Sequence, residues 1–437
     1  MGISRRKFLG TSAAAVIVAG TRAKGKVFGA NDRIRVCVVG FNGQGGSHID
    51  NIMEQPDAEV VALCDVDSRV LARGAAMMKR KQDKTPKTYV DVRDVMADAD
   101  IDAISTATPN HWHSLITVWA CQAGKDVYVE KPLSHSVWEG RQVAAAAEKY
   151  GRIVMHGTQS RSNPTLIRDI GLMHKGFIGE IVHSRGYVYK NGNRMAIGHG
   201  ASADVPDYLN WPLWQGPAQE KPYLVNADAS TPRGLLVHYN WHWVWEYGNG
   251  EIGNQGVHEM DIACWGHNRG LPVKISSTGG RYKWDDDGET PNTQATQFTY
   301  ADGSMMTFEV RNLGSFQEAD GGDCGNSFFG TEGYYVRGRG FFDYKNKPIQ
   351  VDEPEPAGLP KFAHFFKAIR SRNPEDVTAP ALAGHLSCVH CHIGNIAYRI
   401  GHTLDFDPAT ETFVNNDAAN ALIKRSYREG FEVPQVA

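Results

Sequence analysis

The sequence predicts an α/β protein: an N-terminal doubly wound parallel sheet, then a C-terminal α+β domain with a large, mostly antiparallel sheet. Two observations support this prediction. In the first third of the chain, short apolar runs alternate with helical segments, the order typical of βα units in a parallel sheet. In the second half, strand-like runs such as 181–189, 294–300 and 304–310 are interspersed with turns, which is typical of antiparallel hairpins.

Composition limits the class of protein. The chain has 437 residues, of which 41% are hydrophobic and 22% charged, enough to bury the cores of about two or three domains. Its formal net charge is −3, which argues against nucleic acid or an anionic membrane as the partner, because both require a basic surface. The seven cysteines are scattered over predicted strands and helices and do not form the pattern of a disulfide framework.

Residues 1–30 have the pattern of an export signal. Arg5 and Arg6 precede a short apolar run, 11–20, which is too short to be a permanent membrane span. The pattern resembles a twin-arginine signal. That resemblance implies a protein that the twin-arginine export machinery carries, folded and with its cofactor bound, to the periplasm or another exported location.

The pattern over residues 31–158 predicts a Rossmann domain that binds a dinucleotide. A buried strand leads into a glycine-rich turn and a helix, where the backbone can approach a pyrophosphate at the helix N-terminus. Asn42 stands in place of the second glycine of G-x-G-x-x-G. Asp65 ends the second strand, twenty-five residues after Gly40, where a carboxylate binds the ribose hydroxyls of NAD. Arg69 lies nearby in the sequence, so NADP stays an alternative cofactor.

Later strands also end in polar residues. One apolar strand runs into the segment 108–113, and another stops at Glu130 and Lys131. Ligands of parallel α/β sheets lie at the carboxyl ends of the strands, so these residues should converge on one site. The predicted cofactor-binding residues are Gly40, Asn42, Gly43, Gln44, Asp65, Arg69, Thr108, Asn110, His113, Glu130, Lys131 and Gln159.

Taken in order, these motifs resemble the Gfo/Idh/MocA family of nicotinamide-dependent sugar and inositol oxidoreductases. The resemblance covers nearly everything after residue 30 and rests on the glycine turn, Asp65, Thr108-Pro109-Asn110-His111-Trp112-His113, Glu130-Lys131-Pro132 and Gly157-Thr158-Gln159. It implies NAD as cofactor, with NADP not excluded. It also implies a substrate-binding and oligomerisation domain over 159–437, a carbohydrate or polyol substrate, a homo-oligomer, and a role for Lys131 in proton transfer.

A second catalytic group is predicted in the stretch 253–263. On a helix, Asn254, His258 and Asp261 would share one face and point together into a site. The family pattern here is Asp-x-x-x-His, and the resemblance makes His258 the acid/base at the substrate hydroxyl. Asn254 replaces the aspartate, so an amide would orient the ring or bind a hydroxyl. The predicted catalytic residues are Lys131, His258 and Asn254.

Aromatic and imidazole side chains crowd residues 211–245. Flat apolar faces beside hydrogen-bonding edges suit a sugar ring, although core packing explains part of this density. In an extended chain, Trp241, Trp243 and Trp245 would share one face. The predicted substrate-binding residues are Arg161, Tyr239, Trp241, His242 and Trp243.

The segment 388–392 matches C-x-x-C-H, the pattern of c-type haem attachment, but lies within a predicted helix, 381–400. A zinc site could be drawn from the same spacing, using His385, Cys388, Cys391 and His392. No metal is predicted, because hydride transfer needs none. A closing helix is predicted over 418–428.

The predicted reaction is hydride transfer between a secondary hydroxyl of a sugar, glycoside or inositol and a retained nicotinamide. His258 would accept the proton while Lys131 polarises the same oxygen. Two other classes stay open. A glycosidase acting through transient oxidation, as in family-109 glycosidases, fits the same export signal and fold. A non-catalytic sugar-binding protein would need no lysine–histidine pair.

Overall fold

The computed structural model describes residues 32–190, 195–227, 235–314 and 322–437. The predicted export signal, residues 1–30, lies outside these described residues. No helix within them is both long and apolar enough to cross a bilayer.

The N-terminal region is built on a six-stranded sheet. Its strands are β1 (Ile34–Val39), β2 (Ala58–Cys64), β3 (Lys87–Tyr89), β4 (Ala103–Thr106), β5 (Asp126–Val129) and β6 (Val154–His156). They pair in parallel in the order β3-β2-β1-β4-β5-β6, so the strand order reverses between β1 and β4. The predicted doubly wound parallel sheet is confirmed.

Helices cover both faces of this sheet and link it to the rest of the chain. The first six are α1 (Gln44–Met53), α2 (Ser68–Gln82), α3 (Val92–Ala97), α4 (Asn110–Gln122), α5 (Val137–Lys149) and α6 (Pro164–His174). The later ones are α7 (Trp211–Gln215), α8 (Gly250–Gly253), α9 (Gly256–His267), α10 (Lys361–Ser371), α11 (Ala381–Ile400) and α12 (Asp417–Asn420).

The C-terminal region contains a ten-stranded sheet. Its strands are β7 (Ile181–Val188), β10 (Lys274–Gly280), β11 (Thr293–Thr299), β12 (Met305–Arg311), β13 (Cys324–Gly330), β14 (Tyr334–Val336), β15 (Gly340–Phe342), β16 (Pro348–Ile349), β17 (Leu404–Asp407) and β18 (Thr412–Phe413). Only β7 and β12 pair in parallel, and the other neighbours are antiparallel. The prediction of a mostly antiparallel sheet is therefore confirmed. A separate ribbon pairs β8 (Gly200–Ser202) with β9 (Leu224–Asn226).

One face of the N-terminal sheet is completed by α10, which comes from far along the chain. Phe362, Phe365 and Phe366 of this helix lie in the same buried cluster as Ile34 and Tyr128. All five side chains are at most 1% exposed. The two regions thus share a hydrophobic core.

A segment that we call the strap, comprising the described residues of 195–247, forms its own aromatic cluster and docks on the N-terminal region. Its backbone bonds to the chain just after β2: Ser68 donates to the Tyr208 oxygen at 2.9 Å, and Asn210 donates to the Val66 oxygen at 2.9 Å. The strap therefore lies at the carboxyl end of β2, beside the predicted cofactor site.

Two local predictions are wrong. Residues Asn240–Trp243 form a 3₁₀ turn rather than an extended strand, so Trp241 and Trp243 do not share a face. The closing helix ends at Asn420. There the amide side chain exchanges two hydrogen bonds of 2.8 Å with the backbone of Phe413, and only single turns follow.

The C-x-x-C-H segment is part of α11, as its apolar spacing predicts. Its side chains have separate partners: Cys388 accepts from the Leu133 N–H at 3.2 Å, Cys391 contacts the Ile252 oxygen at 3.3 Å, and His392 contacts the Ser134 hydroxyl at 3.1 Å. In the part of the chain that the structure describes, no group of His, Cys, Asp or Glu is arranged to hold a metal ion. The Cys388 and His392 contacts join α11 to the loop that follows Lys131, and the Cys391 contact joins it to α8.

Candidate active site

A cavity of about 600 Å³ lies between the carboxyl ends of the parallel strands and the strap. Most of the predicted site residues line it: Gly40, Asn42, Gly43, Gln44, Asp65, Thr108, Asn110, His113, Glu130, Lys131, Gln159, Tyr239, Trp241, His242, Asn254 and His258. Ala107, Trp214, His238 and Gln255 also line it and were not predicted. The cavity therefore brings together the three predicted catalytic residues, all the predicted cofactor residues except Arg69, and three of the five predicted substrate residues.

The glycine turn leaves room for a phosphate group. Gly40 has a φ of +71°, and a Cβ there would lie 2.8 Å from Thr108 Cγ2. A Cβ on Gly45 would lie 2.2 Å from the Gly40 oxygen, whereas one on Gly43 would meet no atom within 4 Å. α1 begins at Gln44 without a side-chain cap, so the N–H groups of Gln44 and Gly45 are available to an anion, whereas the Gly46 N–H donates to the Gly43 oxygen at 2.9 Å. The turn fits a pyrophosphate.

Asp65 is held in place by the turn that it faces. Its two oxygens accept from the N–H groups of Phe41 at 3.1 Å and Asp67 at 3.0 Å. Burial raises the pKa of this carboxyl group, while these N–H donors oppose the rise. Each oxygen keeps a second lone pair, so the carboxylate can still accept from a ribose hydroxyl.

Arg69, predicted as a cofactor residue, does not line the cavity. Its guanidinium group donates to both oxygens of Asp67, at 3.2 and 2.8 Å, and lies 3.2 Å from the centre of the Tyr208 ring. Asp67 also contacts His238 of the strap at 3.2 Å. Arg69 thus connects the N-terminal region to the strap.

Glu130 is bound mainly by protein groups. His48 contacts its Oε1 at 3.0 Å, the Lys131 N–H donates to Oε2 at 3.1 Å, and Lys361 lies 3.9 Å from Oε1. Burial opposes its ionisation, but the His48 hydrogen bond and these nearby charges hold its pKa well below the usual range. Glu130 therefore fixes the backbone from which the Lys131 side chain extends.

His113 connects two loops that border the cavity. Its ring nitrogens lie 2.6 Å from the Pro132 oxygen and 2.7 Å from the Thr108 oxygen. Burial lowers the pKa of this histidine. A neutral ring has one N–H to donate, so the two carbonyl groups compete for it.

Lys131, Asn254 and His258 meet on one side of the cavity. Lys131 Nζ donates to the backbone oxygen of Asn254 at 3.2 Å and to its Oδ1 at 3.3 Å. His258 is 8% exposed, and its Nδ1 is buried without a hydrogen-bond partner among the described residues. Burial and the positive charge of Lys131 lower the pKa of His258 to about 3. His258 is therefore neutral at physiological pH and can accept a proton.

The structure corrects the helical arrangement predicted for 254, 258 and 261. Asn254 precedes α9, which begins at Gly256, and reaches the cavity from the turn. Asp261 is fully buried and does not line the cavity. Its carboxylate accepts from Arg161 Nε at 2.9 Å and from the Ser387 hydroxyl at 2.6 Å.

Two predicted substrate residues also lie away from the cavity wall. The guanidinium group of Arg161 pairs with Asp261 and lies 5.0 Å from the centre of the Trp265 ring. Trp243 is fully buried in the strap cluster. By contrast, Trp241 stacks on His242 with ring centres 3.6 Å apart, and both line the cavity.

Fold and site together define a class of protein: an oxidoreductase with an NAD-binding Rossmann domain. Its family then follows from comparison with known proteins. Residues 34–158 match the family model "Oxidoreductase family, NAD-binding Rossmann fold", and residues 165–433 match the "Oxidoreductase family, C-terminal alpha/beta domain". The chain belongs to the Gfo/Idh/MocA family.

Solved structures share the fold. The WlbA dehydrogenase of Bordetella pertussis, in complex with NADH and UDP-GlcNAcA, is 18% identical with a TM-score of 0.61 over 86% of this chain and 99% of that one. The aldose-aldose oxidoreductase of Caulobacter crescentus, complexed with glycerol, is 18% identical with a TM-score of 0.61 over 86% and 100%.

A curated relative is the glycosyl hydrolase family 109 protein of a Shewanella strain, 26% identical over 156 residues. The match covers 35% of this chain, and the chain spans about a third (34%) of that relative's length.

Proposed function

We propose that this protein transfers a hydride between NAD and a secondary hydroxyl of a sugar, glycoside or inositol. The observation that carries the proposal is the convergence of Lys131 and a neutral His258 in the cavity that the glycine turn also lines. When bound, NAD supplies the hydride acceptor. His258 accepts the hydroxyl proton, Lys131 polarises that oxygen, and Asn254 positions Lys131.

The substrate would lie against Tyr239, Trp241 and His242. The stacked Trp241 and His242 rings offer a flat apolar face with polar edges, which suits the C–H patches and hydroxyls of a sugar ring. The Shewanella and Caulobacter relatives are named for carbohydrate activities, which supports this class.

The proposal includes a cofactor that stays bound between turnovers. The strap contacts the chain after β2 through Tyr208, Asn210 and His238, so the dinucleotide would lie between it and the glycine turn. Retention through purification requires a dissociation constant below micromolar, which corresponds to about 8 kcal/mol or more of binding free energy.

A glycosidase that acts through transient oxidation is the second candidate, and the similarity to a family-109 protein favours it. It would use the same hydride transfer but return the hydride after the glycosidic bond breaks. A bound cofactor that ends each cycle in its starting state fits both candidates.

The deciding experiment uses purified protein without added nicotinamide. Nicotinamide released on denaturation and identified as NAD supports the oxidoreductase class, whereas a cofactor-free protein that binds sugar would favour the binding-protein class. Incubation with free sugars, inositols and nitrophenyl glycosides then distinguishes a dehydrogenase from a glycosidase. A change in nicotinamide redox state with a free sugar indicates the dehydrogenase, and nitrophenol release without net redox change indicates the glycosidase.

We also propose that residues 1–30 direct export by the twin-arginine route. The paired Arg5 and Arg6 before a short apolar run support this. Replacing both with lysine should leave cofactor-loaded protein in the cytoplasm, and unchanged fractionation would contradict the proposal.

A further inference from the structure

A second cavity, of about 270 Å³, lies apart from the active site. It is bordered by α11, by the loop before α5 and by the chain that follows α12. Its lining includes His135, Trp245, Asn395, Arg399, Lys424 and Arg425. Between the two cavities stands Asn249, whose Oδ1 accepts from Asn110 at 3.1 Å. Asn110 lines the active site, and Asn249 lines the second cavity.

The charge balance of this cavity is positive. Its lining carries three cations, Arg399, Lys424 and Arg425, against one carboxylate, Glu246. Arg425 Nη2 donates to Glu246 Oε1, which also accepts from the Gln219 N–H at 2.8 Å. Glu246 is thus already engaged by protein groups, and the described lining keeps an excess of two positive charges.

Two of the three cations lie against aromatic rings. The Arg399 guanidinium lies 5.2 Å from the centre of the Trp245 ring, and the Lys424 ammonium lies 3.9 Å from the centre of the Trp138 ring. Such contacts fix the position of a cationic group without neutralising it. Both groups therefore stay available to an anion.

Two residues of the lining carry buried polar atoms without a hydrogen-bond partner among the described residues: Asn395 Oδ1 and Arg425 Nε. Arg425 Nη1 lies 3.2 Å from His135 Nδ1, and a guanidinium can only donate. His135 Nδ1 must therefore accept, which places the proton of the neutral ring on Nε2. That N–H interacts with the backbone of Gly248, whereas Arg425 Nε stays an unpartnered N–H donor, as an anion requires.

We propose that this cavity binds a small oxyanion, a molecule carrying a phosphate or carboxylate group. Guanidinium and ammonium groups bind such oxygens through short, charge-assisted hydrogen bonds, and arginine does so in a bidentate manner. The volume is close to the lower end of small-molecule pockets, which limits the ligand to one compact anionic group with a few further atoms.

The test is calorimetric titration of the full-length, cofactor-loaded protein, in an amine buffer, with inorganic phosphate and separately with malonate. At least one anion should bind saturably at one site per chain. Arg399→Ala and Lys424→Ala should each weaken that binding roughly tenfold, the loss expected for one charge-assisted hydrogen bond. Lys149→Ala, which removes another cation beside an aromatic ring but one that does not line the cavity, should leave the binding unchanged.

Binding of phosphate alone identifies a phosphate-bearing ligand, and binding of malonate alone identifies a carboxylate; either supports the site. Saturable binding of neither anion, or binding that both cavity variants leave unchanged, overturns it. Arg399→Lys keeps the charge but not the bidentate guanidinium group, so its affinity should lie between that of Arg399→Ala and that of the unmutated protein, which separates loss of the cation from loss of folding. Bound nicotinamide content should be the same in all variants, because none of these residues lines the active site.

Discussion

The ammonium group of Lys131 donates to two oxygens of Asn254, the backbone oxygen at 3.2 Å and Oδ1 at 3.3 Å. Both acceptors are neutral, whereas an aspartate at this position would give an ion pair. The positive charge of Lys131 in turn helps to keep His258 neutral. This side of the cavity therefore holds one cation and one neutral base, the pair needed to polarise a hydroxyl and remove its proton.

The first prediction concerns that pair. Lys131→Ala and His258→Ala should each lower turnover by about 10² to 10⁴, the range for a positioned proton-transfer group. The double variant should lose less than the product of the two factors, because both groups act on one oxygen. Steady-state kinetics measures the turnover of each variant. The amount of bound nicotinamide is checked in every one of them. Near-normal turnover of His258→Ala would point to His242 or Tyr239 as the base.

The second prediction concerns cofactor choice. Asp65→Ala should weaken NAD binding about tenfold or more, since it removes a charged acceptor for ribose hydroxyls, and should reduce the exclusion of NADP. Asp65→Asn, which keeps one acceptor oxygen, should have a smaller effect. Titration of the cofactor-depleted proteins with both dinucleotides measures the ratio. Equal affinity of the unmutated protein for NAD and NADP would contradict this assignment.

The third prediction concerns the strap. Tyr208→Ala removes the ring against which Arg69 lies, and His238→Ala removes the contact with Asp67. Each should speed the release of bound NAD, with no change in the redox chemistry of the protein that remains loaded. Stopped-flow displacement of NAD by excess analogue gives the rate. Tyr344→Ala, an exposed tyrosine of the C-terminal region, is the control.

Sequence patterns identified most residues of this site, because those residues follow predicted strands and belong to short motifs. They missed His238, whose position depends on how the strap folds back to Asp67, 171 residues earlier in the chain. They also misplaced Arg161 and Asp261, since spacing on a helix does not reveal that two distant charges neutralise each other in the interior. The fold class, by contrast, was predictable, because the periodicity of a strand or a helix can be recognised within one short segment of the chain.

The fourth prediction tests Arg161. Because its partner Asp261 is fully buried, Arg161→Ala leaves a charge without its ion-pair partner and should destabilise the protein by about 3 kcal/mol. The double variant Arg161→Met with Asp261→Asn should recover part of that loss. Denaturant unfolding measures both. A variant of normal stability that has lost substrate affinity would restore Arg161 as a substrate residue.

The fifth prediction concerns pH and His156. This side chain is fully buried, both its ring nitrogens lack partners among the described residues, and burial lowers its pKa to about 4. Between its unfolded pKa of about 6.5 and pH 4, the unfolded chain binds a proton that the folded one does not, so stability falls as pH falls. The contribution is about 1.4 kcal/mol per pH unit at most.

His156→Leu removes the pH-dependent contribution of this histidine to the free energy of unfolding. The stability of the variant relative to the unmutated protein should therefore rise as the pH drops from 7 to 5. Denaturant unfolding at both pH values measures the difference. His402→Leu, at an exposed position, should show no such trend. Parallel stability curves for His156→Leu and the unmutated protein would contradict the prediction.

The packing of α10 against the N-terminal sheet determines when the core of that sheet can be completed during translation. The sheet's last strand ends at His156, yet Phe362, Phe365 and Phe366 complete its core, so about 200 residues must be translated in between. At roughly 5–20 residues per second, a ribosome needs about 10–40 s for this stretch. Until then the nascent sheet has an open apolar face. The core of the dinucleotide-binding domain can therefore be completed only after residue 366 has been translated.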